Sequence, residues 1–306
     1  MRDAPSDRPG LRSTPRPVEP GWRPLTGRIG AEAVGVDLRE SLDDARLAFL
    51  RDGLDRYGVV FFRDAGLDDD GHRALAARLG EPLVHPFERA MGRTDPLHSI
   101  VDRETDVPDR AGWHTDDSYL ERPPGLAVLR CVVAPSVGGD TLFCDMVGAY
   151  EGLSSRMRRL LDGLVGVHET DGRLIDYVRT HLPPDRLADV VREVGPGARH
   201  PIVRVHPRSG RRALFFEPNF MRRIEGLGPA ETAFVQGLLR ARVQEASGQC
   251  RFRWHAGDVA IWDERTTQHL GTADHAGERR VMKRCTVLGE RPFGPAMPRS
   301  ETGNHA

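Results

Sequence analysis

The sequence predicts a mixed α/β protein with a mainly β core, built as a β-sandwich or a jelly roll with helices packed outside it. Short apolar runs of strand length dominate the chain from about residue 126 onwards, and only a few helical stretches interrupt them. Many short strands with few helices are typical of β-sandwiches and jelly rolls. No glycine-rich phosphate loop follows a strand, which argues against a dinucleotide-binding fold. The strand-like segments are residues 126–133, 140–144, 202–206, 213–216, 258–262 and 280–288.

The N-terminal part of the chain alternates short strands with helices. Residues 24–38 indicate short strands broken by glycines. Between residues 41 and 57 apolar side chains recur at helical spacing, and a buried strand at residues 58–63 follows directly. A second helix is predicted at residues 68–79 and contains His72, which we expect at the surface. Two more helices are predicted, at residues 146–164 and 229–246.

The chain is predicted to fold as one domain over residues 22–295. Residues 1–21 are rich in Arg, Pro, Ser and Asp and have no apolar core, which indicates a disordered leader and not a secretory signal. Residues 296–306 indicate a flexible tail. A polar, weakly patterned stretch near residues 168–200 is predicted to be a lid-like insertion, because long excursions of this kind often cover sites.

Composition argues against several classes of function. The net charge is -1 and the pI is about 6.9, whereas nucleic-acid binders are usually basic. No apolar run is long enough for a membrane span. The four cysteines are scattered without a CxxC pair, which indicates buried free thiols and a reducing, cytoplasmic environment.

The segment Trp113-His114-Thr115-Asp116 contains a pair of side chains that suggests a metal site. Residues two apart on an extended segment point to the same side, so His114 and Asp116 can aim an imidazole and a carboxylate at one point. Two imidazoles and one carboxylate on one face describe the non-haem iron(II) oxygenase site. The pair alone is weak evidence, because 12 histidines and 45 acidic residues give roughly two His-x-acid pairs by chance.

A polar segment near the C-terminus could complete such a site. A strand ending at Trp262 leads through a polar turn to His269, and a basic strand with Arg280 follows. An arginine there could bind a dicarboxylate through two parallel hydrogen bonds. Taken singly, His269 also fits a turn histidine and Arg280 a solvated strand arginine. We interpret Asp263 and Glu264 as local turn chemistry, with Asp263 able to orient a neighbouring group.

Together these segments closely resemble the taurine dioxygenase/TfdA family of iron(II)- and 2-oxoglutarate-dependent oxygenases. The resemblance runs from about residue 25 to residue 292, and several separated motifs in order are far more specific than any one of them. It implies a double-stranded β-helix of the cupin-like, jelly-roll kind and a dioxygenase that uses iron(II), 2-oxoglutarate and O2. The motifs are GAEAVGVDL, GVVFFRD, LGEPLVHP, WHTDDSYLERPPGLAVLRC, GGDTLFCDM, HPIVRVHPRSGRRALFF, WDERTTQH and RRVMKRCTVLG.

The resemblance implies roles for the residues of the cofactor site. His114, Asp116 and His269 match the iron ligands of the family. Thr141, in GGDTLF, matches a hydroxyl that contacts 2-oxoglutarate. Arg280 matches the arginine that pairs with the distal carboxylate of 2-oxoglutarate.

The resemblance extends to a substrate pocket but departs from the taurine pattern there. His85 matches a substrate-contacting histidine, and Arg284 matches an arginine that commonly holds an anionic substrate. Glu88 stands where the taurine enzyme has a tyrosine, and Arg110 stands where it has an asparagine. These departures argue against taurine. They favour an amino-acid-like molecule or a secondary-metabolite intermediate, whose amine and carboxylate the two side chains could bind.

Three functional alternatives follow. Because Asp116 is present where halogenating relatives carry a small residue, the resemblance favours hydroxylation of an sp3 carbon of a small anionic substrate, with release of succinate and carbon dioxide. The second alternative is a scavenging dioxygenase that acts on a sulfonate or an alkyl sulfate. The third is a catalytically silent, cupin-like binding protein. The family is commonly dimeric or tetrameric, so a homodimer or homotetramer is expected.

Overall fold

The computed structural model describes residues 19–105, 112–170, 180, 184–194 and 197–295. The strands are β1 (Gly21–Pro24), β2 (Ala31–Val34), β3 (Val59–Phe62), β4 (Pro82–Leu83), β5 (His98–Asp102), β6 (Pro124–Val133), β7 (Thr141–Asp145), β8 (Val165–His168), β9 (Ala198–Pro201), β10 (Val203–Val205), β11 (Arg212–Leu214), β12 (Met221–Ile224), β13 (Gln249–Phe252), β14 (Val259–Asp263), β15 (Thr267–Gly271) and β16 (Arg280–Leu288). The helices are α1 (Asp44–Tyr57), α2 (Asp69–Leu79), α3 (Pro86–Ala90), α4 (Met146–Glu151), α5 (Ser155–Leu161), α6 (Pro184–Val194) and α7 (Pro229–Val243), with a 3-10 turn at Ala246–Gly248.

Two facing sheets form the core. The larger, eight-stranded sheet has the order β1-β2-β3-β14-β6-β16-β4, and β5 also pairs with β16. Its pairings are antiparallel apart from that of β2 with β3. The smaller sheet has the order β13-β7-β15. Two further small sheets, β12-β8-β9 and β10-β11, complete the described strands.

Alternate side chains of the large sheet enter two different cores, as the period of a strand requires. Phe61 faces the small sheet, where its ring stacks on Phe252 with centroids 4.0 Å apart and meets the edge of Phe143. Val60, one residue earlier, faces the other way and lies in the same core as Leu50 of α1. The predicted mainly β core with helices outside is therefore confirmed.

Helices α1 and α2 lie close to their predicted bounds. Each begins after an aspartate, Asp43 and Asp68, whose side chain accepts a backbone N–H of the first turn. The surface position predicted for His72 is wrong. Its side chain is fully buried, and Nε2 lies 3.1 Å from the carbonyl oxygen of Val128 on β6. The polar composition of α2 does not show which of its faces meets the sheet.

The single helix predicted over residues 146–164 is two helices, α4 and α5. Helix α4 ends at Gly152, and Ser154 then begins α5 by accepting the backbone N–H of Met157 at 3.3 Å. Apolar spacing continues across this break, so periodicity alone does not reveal it.

The predicted insertion near residues 168–200 is described only in part. It contains helix α6, while residues 171–179, 181–183 and 195–196 lie outside the described residues, as do the leader up to residue 18 and the tail from residue 296. The four cysteines are buried as free thiols, as predicted. In the part of the chain that the structure describes, none of the helices combines the length and apolar character needed to cross a membrane.

Candidate metal and substrate site

Two histidines that are distant in sequence are joined through their backbones. The N–H of His114 donates to the carbonyl of His269 at 3.0 Å, and the N–H of His269 donates to the carbonyl of His114 at 2.9 Å. This isolated antiparallel bridge fastens the segment before Asp116 to β15, which itself pairs with β7. The two imidazole rings lie with their centroids 4.2 Å apart. Backbone pairing therefore sets the distance between the two rings.

Asp116 completes a group of three potential ligand atoms. Its Oδ1 lies 3.8 Å from Nε2 of His114 and 3.9 Å from Nε2 of His269. The three atoms lie within 4.8 Å of one another. Nδ1 of His114 lies 2.8 Å from the carbonyl oxygen of Gly112, to which it can only donate, so Nε2 keeps its lone pair for a metal. This donor set suits iron(II) with open positions for a co-substrate and oxygen.

Electrostatics favour the protonation states that bind a metal. Burial lowers the pKa of His269 well below its ordinary value, and nearby His114 lowers it further, so the imidazole is neutral. Burial alone would raise the pKa of Asp116, but the positive charge of Arg284 holds that pKa below its ordinary value. Asp116 is therefore ionised.

The turn between β14 and β15 contains two buried acids with different surroundings. Oδ2 of Asp263 lies 3.0 Å from Nε2 of His206, so the neighbour that it orients is His206 and not one of the predicted ligands. The interpretation of Glu264 as local turn chemistry is wrong. Glu264 is 1% exposed, and its carboxyl contacts Thr115 and the backbone of Asp116. Burial, followed by the charge of Asp116, raises the pKa of Glu264 well above its ordinary value. Its position five residues before His269 places Glu264 near a predicted ligand in the sequence. No local pattern, however, shows that this turn lies against residues 114–116.

Arg280 and Thr141 lie on the two facing sheets and can receive a carboxylate. Nε of buried Arg280 donates to the carbonyl of Gly139 at 3.1 Å, and Nη1 lies 3.5 Å from Oδ2 of Asp102. Gly139 has a φ of 66°, and a Cβ there would lie 3.1 Å from Cδ of Arg280, so glycine permits this close approach. Oγ1 of Thr141 accepts from Nε1 of Trp254 at 2.9 Å. The hydroxyl proton of Thr141 thus stays available to donate.

Arg284 lies beside the candidate metal ligands. Its Nη1 donates to Oδ2 of Asp116 at 2.7 Å, and its side chain is 27% exposed. Arg280 and Arg284 are four residues apart on β16 and so project to the same face of the strand. His98 of β5 is the direct cross-strand partner of Arg284. No sequence pattern singled out His98, because the pairing of β5 with β16 brings it here.

Glu88 already forms an ion pair with an arginine and lies close to a histidine. Its Oε2 accepts from Nη1 of Arg93 at 2.7 Å, and its Oε1 lies 3.8 Å from Nδ1 of His98. The predicted substrate contact of Glu88 therefore competes with an existing ion pair. Arg110, the other predicted contact, lies outside the described residues.

His85 begins a chain of three polar side chains. Its Nδ1 accepts from the backbone N–H of Phe87 at 3.1 Å, so Nε2 donates to the hydroxyl oxygen of Tyr119 at 2.7 Å. The Tyr119 hydroxyl in turn donates to Oδ1 of Asp117 at 3.0 Å. Burial and the adjacent Asp117 raise the pKa of Tyr119 well above its ordinary value. Neither Tyr119 nor Asp117 was predicted, although both lie within three residues after Asp116 in the sequence.

An apolar cluster adjoins this chain. Phe87, Tyr119, Leu120 and Val190 are buried together, with Phe220 packed against them. Val190 belongs to α6, so the described helix of the insertion packs beside the candidate site. The site therefore combines a polar side, with two arginines and several histidines, and an apolar side.

The geometry has close counterparts among known proteins. The profile described as "Taurine catabolism dioxygenase TauD, TfdA family" matches residues 22–286, so the chain belongs to this family. It is an iron(II)- and 2-oxoglutarate-dependent dioxygenase, which uses O2, and this confirms the predicted enzyme class and cofactors.

Individual relatives match over most of their length. The chain is 37% identical to an alpha-ketoglutarate-dependent sulfate ester dioxygenase of Pseudomonas putida, over 93% of this chain and 94% of that protein. It is 33% identical to an alkylsulfatase of Acinetobacter baylyi, with 88% and 84% covered. The crystal structure of a taurine dioxygenase from Burkholderia xenovorans is similar with a TM-score of 0.74 at 35% identity, over 90% of this chain and 93% of that chain. The jelly-roll prediction is thereby confirmed.

Proposed function

We propose that this dioxygenase hydroxylates the carbon that carries the ester oxygen of an alkyl sulfate, so that inorganic sulfate is released. The observation that carries this proposal is the partly buried guanidinium of Arg284, 2.7 Å from Asp116. An arginine in this position can bind an oxyanion through two parallel hydrogen bonds beside the metal face. The similarity to a sulfate ester dioxygenase and to an alkylsulfatase supports the same substrate class.

The proposal assigns the cofactor residues as follows. His114, Asp116 and His269 bind iron(II), and Arg280 with Thr141 binds the distal carboxylate of 2-oxoglutarate. The neutral His269 and ionised Asp116 described above fit this cation. When bound, iron(II) with 2-oxoglutarate and O2 supplies the oxidant that removes a hydrogen atom from carbon.

The remaining residues bind and orient the substrate. Arg284 binds the sulfate group, and His98 is its direct cross-strand neighbour in β5. His85 is fixed by its hydrogen bonds to Phe87 and Tyr119. The apolar cluster that contains Phe87 contacts the alkyl chain. Placing the sulfate at one end and the chain at the other directs the first carbon toward the metal.

The reaction balances with the known co-substrates. One oxygen atom of O2 enters the substrate as a hydroxyl, and the other enters succinate as 2-oxoglutarate loses carbon dioxide. The product carries a hydroxyl and a sulfate on the same carbon. Its C–O bond to sulfate breaks as the hydroxyl loses a proton, which yields an aldehyde and hydrogen sulfate.

A substrate screen tests the proposal. Purified enzyme with iron(II) and 2-oxoglutarate is given alkyl sulfates, alkanesulfonates and free amino acids, and O2 uptake, succinate and free sulfate are measured. We expect sulfate and succinate in equal amounts with alkyl sulfates, and neither above background with His269→Ala. Succinate formation that responds to amino acids but not to sulfate esters would overturn the substrate class.

A second candidate keeps the same chemistry but has an amino-acid-like substrate. The observation that favours it is Asp117, whose carboxylate lies near enough to Arg284 to act on its pKa and could pair with an ammonium group. The free amino acids in the screen test it directly. Glu88 supports it less than the sequence suggested, because Arg93 already neutralises that carboxylate.

We further propose a cytoplasmic location and a symmetric homo-oligomer. Four buried free thiols are consistent with a reducing cytoplasm. A homodimer or homotetramer stays a prediction, and light scattering of the purified protein would test it.

A further inference from the structure

Glu264 occupies the crossing between the two sheets, directly beneath the candidate metal site. It follows β14 of the large sheet and precedes β15 of the small sheet, in the turn that carries the chain to His269. An acid in a turn normally faces solvent, yet this side chain is 1% exposed. Its backbone N–H is also fixed, because it donates to the carbonyl of Gly125 at 3.0 Å.

Both oxygens of Glu264 accept hydrogen bonds. Oε2 accepts from the hydroxyl of Thr115 at 2.7 Å and from the backbone N–H of Asp116 at 3.2 Å. Oε1 accepts from the indole N–H of Trp262 at 2.7 Å. Two of these three donors belong to the segment that presents Asp116. The carboxyl group therefore ties the backbone of this proposed ligand to the rigid large sheet.

The same carboxyl group faces the second proposed ligand. If Nε2 of His269 binds the metal, Nδ1 is the remaining ring nitrogen. It is buried without a hydrogen-bond partner among the described residues. Oε1 of Glu264 lies 4.0 Å from it. Metal-bound histidines almost always donate their other N–H to an acceptor that fixes the ring, and Glu264 presents a carboxylate oxygen to this one.

We propose that Glu264 is a positioning residue for the metal: its carboxyl group orients Asp116 through Thr115 and the backbone, and faces His269 from below. This inference rests on the ligand set of the proposed function. Replacing the carboxyl group by an amide should abolish this role. An amide has one acceptor oxygen, so its NH2 must face the N–H of either Asp116 or Trp262, and both of those groups can only donate.

Metal titration separates this role from a purely structural one. The apo proteins are titrated anaerobically with iron(II) or cobalt(II), and their thermal unfolding is followed in parallel. We expect Glu264→Gln to weaken metal affinity by about 10- to 100-fold. Thr115→Val should weaken metal affinity as well, whereas Thr115→Ser, which keeps the hydroxyl, should bind the metal with wild-type affinity. The matched control is Glu217→Gln, another buried glutamate whose carboxyl accepts backbone N–H groups, which should change stability and leave metal affinity unchanged.

The outcomes distinguish two failures. If His269→Ala binds metal as tightly as wild type, the proposed ligand set is wrong. If His269→Ala loses the metal while Glu264→Gln binds it with wild-type affinity and the wild-type cobalt(II) spectrum, the ligand set stands and the role of Glu264 is wrong. A loss of affinity in Glu217→Gln equal to that in Glu264→Gln would also overturn it, because general destabilisation would then explain both.

Discussion

Arg284 donates a hydrogen bond from Nη1 to Oδ2 of Asp116 across 2.7 Å. The guanidinium proposed to bind substrate thus contacts the carboxylate proposed to bind iron. An incoming oxyanion would share this cation with Asp116, which couples substrate binding to the charge at the metal.

Replacing Arg284 should affect substrate binding more than 2-oxoglutarate binding. Arg284→Met should raise the KM for an alkyl sulfate by about 100-fold, because truncating one partner of a buried charge pair typically costs 2–5 kcal/mol. Succinate formation without substrate should persist, since Arg280 is intact. The control is Lys283→Met, one residue away on β16, whose side chain pairs instead with Asp69. Equal KM values in wild type and Arg284→Met would contradict the anchor.

Asp117 separates the two candidate substrate classes. Its φ is 47°, a conformation that asparagine also tolerates, so Asp117→Asn removes the charge while keeping the backbone. Loss of a negative charge near Arg284 should lower the KM for an alkyl sulfate by about 3- to 10-fold. An ammonium-bearing substrate should instead bind more weakly. Measuring KM for both substrate types shows in which direction each changes. A higher KM for the alkyl sulfate in Asp117→Asn would argue against an oxyanion beside Arg284.

Thr141 should contribute to 2-oxoglutarate affinity. Its hydroxyl accepts from Trp254 and has its proton free for a carboxylate. Thr141→Val should weaken 2-oxoglutarate binding by about 10-fold, since a hydrogen bond to a charged group contributes roughly 1.5–3 kcal/mol. Anaerobic titration, read from the charge-transfer band of the iron complex, measures this. Thr272→Val is the matched control, because it loses a hydroxyl that contacts the carbonyl of Asp140 and the side chain of Asp274. If Thr272→Val lost as much 2-oxoglutarate affinity as Thr141→Val, the proposed contact of Thr141 with 2-oxoglutarate would be wrong.

His72 should make the fold sensitive to acid. Burial lowers its pKa from 6.5 to about 4, so the unfolded chain binds more protons between these values. Stability from neutral His72 is fully present above pH 6.5 and is lost as pH falls toward about 4. Between neutral pH and pH 4.5 the free energy of unfolding should therefore fall by about 2 kcal/mol less in His72→Gln than in wild type, as measured by urea unfolding. His255→Gln, at an exposed position, should follow wild type.

The sequence predicted the parts of the site that lie within contiguous motifs. WHTD placed His114 and Asp116, WDERTTQH placed His269, and the structure brings all three together. The neighbours supplied by strand pairing were not predicted. His98 reaches Arg284 only through the pairing of β5 with β16, and no residue in HSIVD records that partner. Glu264 was misjudged for the same reason, since its contacts lie across the sheets and not along the turn.

For the fold, the sequence predicted the central strands but not how the helices pack against them. Alternation and apolar runs located the central strands, because burial imposes these patterns locally. The break between α4 and α5 and the burial of His72 depend on which surface meets each helix. Such packing choices are decided by residues distant in sequence, and a local pattern carries little information about them.

The backbone bridge between His114 and His269 also has a consequence during synthesis. About half of the chain separates these two residues, and β15 lies close to the C-terminal end of the domain. While β15 has not yet emerged from the ribosome, the nascent chain can present only His114 of this histidine pair. With the proposed ligand set, a nascent fragment that ends before residue 267 lacks His269, so iron loading would follow translation of most of the chain.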